Sequence, residues 1–257
     1  MTLRRGETVL AMCALAMVGF IAWQAVLRSR VPRRAAPVVT ADDALYKVPV
    51  RLTAAERMRV AGERATTVRA RIGESGALTY IGDVLQLNDS TVRHWTARAG
   101  RPVTIWLQDP VGLADYRATF GPHVTRALDE WSGVDGMPVR FTVVPDSASA
   151  QVVVVWTTRL VENRIGLTRI EAINDTIRSG RITIATQRDG NVALRDEDIA
   201  RCALHEVGHL LGLTHTADAL SIMAPESAQP ALGIRDRATV SLLYALPIGS
   251  TKAGALR

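Results

Sequence analysis

His205, Glu206, His209 and His215 fall within one short segment, His-Glu-Val-Gly-His-Leu-Leu-Gly-Leu-Thr-His, whose spacing can build a catalytic zinc site. On an α-helix, residues four apart project from nearly the same face, so His205 and His209 can aim two imidazoles at one ion. Glu206 is offset around the helix and can stand beside the metal as a base without ligating it. Gly212 permits a sharp exit from the helix, because a residue without Cβ takes left-handed conformations at little cost. That turn can bring His215 back as a third ligand. Three protein ligands with an open fourth position is the catalytic arrangement of zinc, whereas four ligands close a structural site. The chain has five histidines and three lie in this segment, a concentration that ordinary core packing does not require.

A helix must carry the motif and a sheet must hold that helix. Asp196 can cap it, with Glu197 and Asp198 favourable at its positive end. Upstream, Pro102–Leu107 reads as a first strand. Pro122 suits the first turn of a helix, on which Val124, Ala127, Leu128 and Trp131 form an i, i+3, i+4, i+7 core stripe. Val139–Val144 reads as a second strand with Val139, Phe141 and Val143 on one face. Gln151–Trp156 is a β-branched run expected of an interior strand covered on both faces. Arg181–Thr186 is a further strand, closed by the turn signal Asp189-Gly190-Asn191, and Arg235–Leu246 a last helix ending before Pro247. Before all of these, 53–71 reads as a helix with a Thr53/Glu56 capping box, and 72–97 as a hairpin or small propeptide-like unit.

Eight residues beyond His215, Met223 lies in Ser221-Ile222-Met223-Ala224-Pro225. The extended zinc motif followed by such a Met-turn resembles the metzincins, and the Ser-x-Met-x-Pro form is most similar to the matrixins, the matrix-metalloproteinase group. The resemblance covers roughly 98–246. It implies an α+β, zincin-like fold: a twisted mixed five-stranded sheet with about three helices and a horizontal cleft. It further implies one catalytic Zn2+ on His205, His209 and His215, a zinc-activated water deprotonated by Glu206, an apolar floor from Met223, and a protein or peptide substrate. Thr216 stands where matrixins usually have serine. No cysteine lies between Cys13 and Cys202, so the family's cysteine switch is absent. Only His94 and His123 remain upstream for a second, structural zinc, which is therefore expected to be missing. Ca2+ at Asp175, Asp189 or Asn191 is an alternative reading of residues that turn chemistry explains equally well. Two other functions use the same residues: a membrane-tethered zinc-binding module without turnover, and a zinc hydrolase of a non-peptide amide. Glu206 argues against the first, since loss of that carboxylate is the usual lesion in inactive relatives.

Of the net charge of +6, residues 1–97 carry 14 basic against 8 acidic side chains, and residues 98–246 carry 15 against 17. The basic excess thus belongs to the N-terminal part, and the protease-like region lacks the basic, aromatic-interleaved stripe of a nucleic-acid binder. Cys13 sits in an apolar run and Cys202 on the zinc helix, which makes a disulfide between them implausible. Cys202 reads as a small buried apolar residue. Thr8–Leu27 is an uncharged run of 20 residues, long enough to cross a bilayer as a helix. It is expected to be an uncleaved anchor, Arg28-Ser29-Arg30 being a poor cleavage site. Arg28, Arg30, Arg33 and Arg34 would keep the protease inside by the positive-inside rule. The leader-like N-terminus and the exported habit of the family favour the opposite, adopted here: a single-pass membrane protein with an extracytoplasmic protease, secreted if the leader is cleaved. The expected organisation is anchor 1–30, linker and accessory region 31–97, protease-like domain 98–246 and tail 247–257.

Overall fold

The computed structural model describes residues 54–75, 78–96 and 101–252. The apolar run Thr8–Leu27, the start of the linker and accessory region from residue 31, Thr53 and the last residues of the tail lie outside them. Among the described residues no helix is long and apolar enough to cross a membrane.

Helix α1 (Ala54–Ser75) extends the helix expected over 53–71, and α2 (Ile81–Leu87) follows it. Among the described residues of 72–97 no hairpin forms. Strand β1 (Thr91–Val92) instead pairs antiparallel with β9 (Gly249–Ser250) at the far end of the domain. Between them, β2 (Val103–Leu107), β3 (Phe141–Val143), β4 (Val152–Thr157), β5 (Gly166–Ile173) and β6 (Thr176–Ala185) build the five-stranded sheet. Its order is β3-β2-β4-β6-β5, with β5 antiparallel and the other neighbours parallel. A two-stranded ladder, β7 (Gln187–Arg188) with β8 (Val192–Ala193), encloses the expected 189–191 turn.

Three further helices follow, where about three were expected in all: α3 (Phe120–Ser132), α4 (Asp196–Leu210) and α5 (Ile234–Ala245). With α1 and α2 the described residues hold five. Phe120, Val124, Leu128 and Trp131 of α3 and Ile199, Val207 and Leu210 of α4 share one core with Val152, Val154, Ile182 and Ile184 of the sheet. Along β4 every second residue is buried and the alternate ones, Val153 and Val155, are only half-buried. Coverage of this strand is therefore full on the helix-bearing face alone, not on both. The second strand is shorter than Val139–Val144: Val139 is buried ahead of it, while Val143 is 51 % exposed. As an edge strand, β3 has one neighbour: Phe141 packs against the core, while Thr142 and Val143 lie exposed. Asp196 is the first helical residue of α4 and not its cap. The helix start is held by Asp198, whose carboxylate accepts from the Arg195 N–H at 3.2 Å, as a carboxylate three residues in can do.

The segment 78–96 shares this core. Tyr80, Ile81, Val84, Leu85, Val92 and Trp95 are all buried in it. It is also bonded to α4 and α5 in the C-terminal half of the chain. The Trp95 indole donates to the carbonyl of Leu210 at 2.8 Å, and Arg235 donates to the carbonyl of Thr79 at 3.0 Å.

Candidate active site

Helix α4 presents His205 and His209 one turn apart, and the chain reverses at Gly212, whose φ is +100°. A Cβ at that position would stand 2.3 Å from the Arg93 carbonyl, so both the backbone angle and the close approach of 78–96 require glycine. The reversal returns His215. The three Nε2 atoms then lie 3.0, 3.2 and 3.3 Å from one another. A tetrahedral zinc with bonds of about 2.0–2.1 Å separates its nitrogen ligands by roughly 3.3 Å. Nδ1 of His205 faces the Ile222 carbonyl at 2.8 Å and Nδ1 of His209 the Leu213 carbonyl at 2.9 Å. A carbonyl can only accept, so these nitrogens carry the protons and the Nε2 lone pairs point inward. Lone pairs at such distances repel unless a cation sits among them. Burial lowers the pKa of all three imidazoles, that of His209 to about 3 with His205 as the second cause. Neutral at physiological pH, the donor set fits a zinc ion.

Glu206 is 5 % exposed on the same cleft, against the start of β5. A Cβ at Gly166 would meet its Oε1 at 2.3 Å and the Cys202 sulfur at 2.6 Å, so the strand backbone presses on the carboxylate. Burial raises the pKa of Glu206 to about 7, opposed by the Thr168 hydroxyl, which donates to Oε2 at 2.6 Å. Thr168 belongs to β5, which sequence periodicity did not locate, and only its register opposite Ile182 brings it to Glu206. A Thr168→Val variant removes a bond to the charged form, which raises the Glu206 pKa further. The acidic limb of its kcat/KM profile is expected to move to higher pH; an unmoved limb would show that Thr168 does not tune this group.

Met223 is fully buried beneath the histidines, and a Cβ at Gly208 would lie 2.3 Å from its sulfur. The turn that carries it is pinned by Asp236, a fully buried carboxylate on α5. Asp236 accepts from the Ser221 hydroxyl, the Ile222 N–H at 3.1 Å, the Gly233 N–H at 2.8 Å and the Tyr80 hydroxyl at 3.0 Å. Burial, and then the Asp236 charge, push the Tyr80 hydroxyl well above its ordinary pKa, so it remains a donor. Thr216, next to the third histidine, donates to Asp83 of α2 at 2.6 Å. Sequence reading did not single out Asp236, Tyr80, Asp83 or Thr168; each acts through a partner distant in sequence.

The remaining candidates lie elsewhere. Cys202 is buried and free, and its thiol is pushed up by burial and then by Glu206. Among the described residues the cluster with metal-binding geometry is His205, His209 and His215. His94 bonds the Trp95 and Leu246 carbonyls, and His123 bonds Asp196 at 3.0 Å. Asp175 has φ +60° in the β5–β6 turn and pairs with Arg93 at 3.6 Å. Asp189 and Asn191 shape the β7–β8 turn, where Gly190 and Asn191 have φ +75° and +60°.

No curated protein matches the chain. The family model described as Matrixin matches residues 115–245, which include β3 to β6, the three histidines, Glu206, the Met223 turn and α5. That match spans just over half of the chain, and with a five-stranded mixed sheet and a converged histidine triad beneath it, this protein belongs to the matrixins, a family of zinc-dependent metallopeptidases.

Proposed function

We propose that this chain is a zinc-dependent endopeptidase in which His205, His209 and His215 hold one zinc ion and Glu206 is the general base. The observation that carries this reading is the convergence of three Nε2 atoms in the cleft where the Glu206 carboxylate is buried. Bound there, zinc supplies Lewis acidity, lowering the pKa of water and polarising the scissile carbonyl. Glu206 takes the proton of the attacking water at a carboxylate oxygen and passes it to the departing amine. Its pKa, raised by burial, suits a group that must gain and lose a proton near neutrality. Thr168 holds Oε2 in place, and the backbone at Gly166 limits the carboxylate's rotation. The peptide has a place to lie: β5 ends the sheet, so its outer edge can receive an extended chain by backbone hydrogen bonds. Met223 contributes an apolar support and no chemistry.

The test uses the full chain with a quenched peptide library. One zinc per chain is expected, with cleavage abolished by a chelator and restored by stoichiometric zinc. Cleavage that persists in metal-free protein, or zinc-loaded protein that cleaves no peptide, would overturn the proposal.

A further inference from the structure

The cleft, about 1010 Å³, carries an arginine wall that the proposed chemistry does not use. Arg93, Arg164, Arg188 and Arg201 all line it. Arg93 and Arg201 are matched by Asp175 at 3.6 Å and Asp198 at 2.6 Å. Among the described residues Arg164 forms an ion pair with Glu162 alone, an acid two residues away that is 67 % exposed, and an ion pair so exposed is readily exchanged for another carboxylate. Arg188 has no carboxylate within ion-pair distance among the described residues.

The two uncommitted arginines stand on turns that are bonded to each other. Glu162 and Asn163 both adopt positive φ, +58° and +54°, which bends the chain sharply just before Arg164. The Asn163 side-chain oxygen accepts from the Asp189 N–H at 3.0 Å, and Asp189 directly follows Arg188. The bond therefore fixes the loop bearing Arg164 to the turn bearing Arg188. Arg164 precedes by two residues the Gly166 that presses on Glu206. Its charge is felt at Glu206 and at His215, and that of Arg188 at Cys202, one turn before Glu206 on α4. This is a local feature and not a general surface charge, since residues 98–246 carry 15 basic against 17 acidic side chains.

We infer that the cleft selects peptides with an acidic side chain close to the scissile bond, and that Arg164 and Arg188, on their linked turns, are the residues that read it. The inference rests on the peptidase reading for its site but not on turnover for its test. Guanidinium suits the task because its planar fork matches a carboxylate and it keeps its charge at every working pH. Glu162 acts as the resident competitor for Arg164 and weakens, without abolishing, the preference.

The experiment measures binding to the full-length, zinc-loaded Glu206→Gln chain. The probes are fluorescein-labelled decapeptides of neutral background, with a single Glu walked through the central positions, each paired with its Gln counterpart. At one or two positions the Glu peptide is expected to bind roughly tenfold tighter than the Gln peptide, an advantage that fades with added salt. In the Arg164→Ala/Arg188→Ala double variant the ratio falls to about one, and zinc content reports whether that variant is folded. Glu162→Gln, a change on an exposed loop, raises the ratio. Equal binding of Glu and Gln peptides by the parent chain, or a ratio unchanged in both variants, would overturn the inference. Cleavage of the same peptides by the unsubstituted chain is read separately: selective binding without cleavage sinks the peptidase reading, and cleavage without selectivity sinks this one.

Discussion

Glu206→Gln leaves one zinc per chain and lowers kcat by roughly 10²–10⁴-fold, the range that a positioned general base contributes. Glutamine has the shape of the carboxylate, so it fits under Gly166, and its amide oxygen still accepts from the Thr168 hydroxyl. His205 and His209 keep their own braces, the Ile222 and Leu213 carbonyls, which do not involve position 206. What disappears is the ability to take a proton. A rate within tenfold of the parent, at full zinc occupancy, would remove Glu206 from the chemistry.

The same substitution has an opposite effect on stability, and the sign follows from burial. In the zinc-free protein the Glu206 pKa is raised from 4.5 to about 7. A raised pKa means that the folded state holds the proton more tightly than the unfolded one. The associated stability is present below about pH 4.5 and is lost as pH rises through 7. Glutamine carries no such penalty. Zinc-free Glu206→Gln should therefore melt above the parent at pH 8, by a margin on the order of 3 kcal/mol at most, and close to it at pH 4.5. Equal melting at both values would mean that the carboxylate is not desolvated as its position implies. A desolvated acid of this kind is what the proposed base chemistry calls for.

Much of this site was legible in the sequence because its logic is local. The spacing of His205 and His209, the glycine that reverses the chain and the returning His215 all lie within three helical turns' worth of chain, where helix geometry decides which side chains meet. The α3 stripe was legible for the same reason, and Trp131 lies fully buried with its indole donating to the Leu204 carbonyl at 2.8 Å. Residues whose role depends on pairing across the fold were not. Thr168 sits on β5, an edge strand whose residues are half-buried or exposed, so no alternation marks it. Asp236 reads as one more acid in the first turn of a helix, and nothing local announces four donors around a buried carboxylate. Asp196 looked like a cap, yet tertiary partners took it: Arg117 at 3.1 Å and His123 at 3.0 Å.

The second large effect concerns 78–96, which lies upstream of the residues that match the family. A chain beginning at residue 98 is expected to lose cooperative folding and hold well under one zinc, whereas a chain beginning at 52 keeps both. The deleted segment contributes Tyr80, Ile81, Val84, Leu85, Val92 and Trp95 to the core. At about 1.5–3 kcal/mol for each large apolar side chain buried, their removal forfeits on the order of 10 kcal/mol. That is comparable to the whole stability of a typical domain, about 5–15 kcal/mol. Polar consequences fall directly on the site. Asp236 loses the Tyr80 hydroxyl, Leu210 at the end of the zinc helix loses the Trp95 indole, and Thr216 beside His215 loses Asp83. Asp83→Ala in the full chain separates the last of these from global unfolding. It removes one carboxylate from a partly exposed bond and leaves the core intact, so the melting transition should persist while zinc affinity falls roughly tenfold, the low end for groups that orient metal ligands. If the chain from 98 binds zinc and melts like the longer one, 78–96 is an ornament of the fold; if it does not, the working enzyme begins with the segment that grips both the third histidine's neighbour and the Met223 turn.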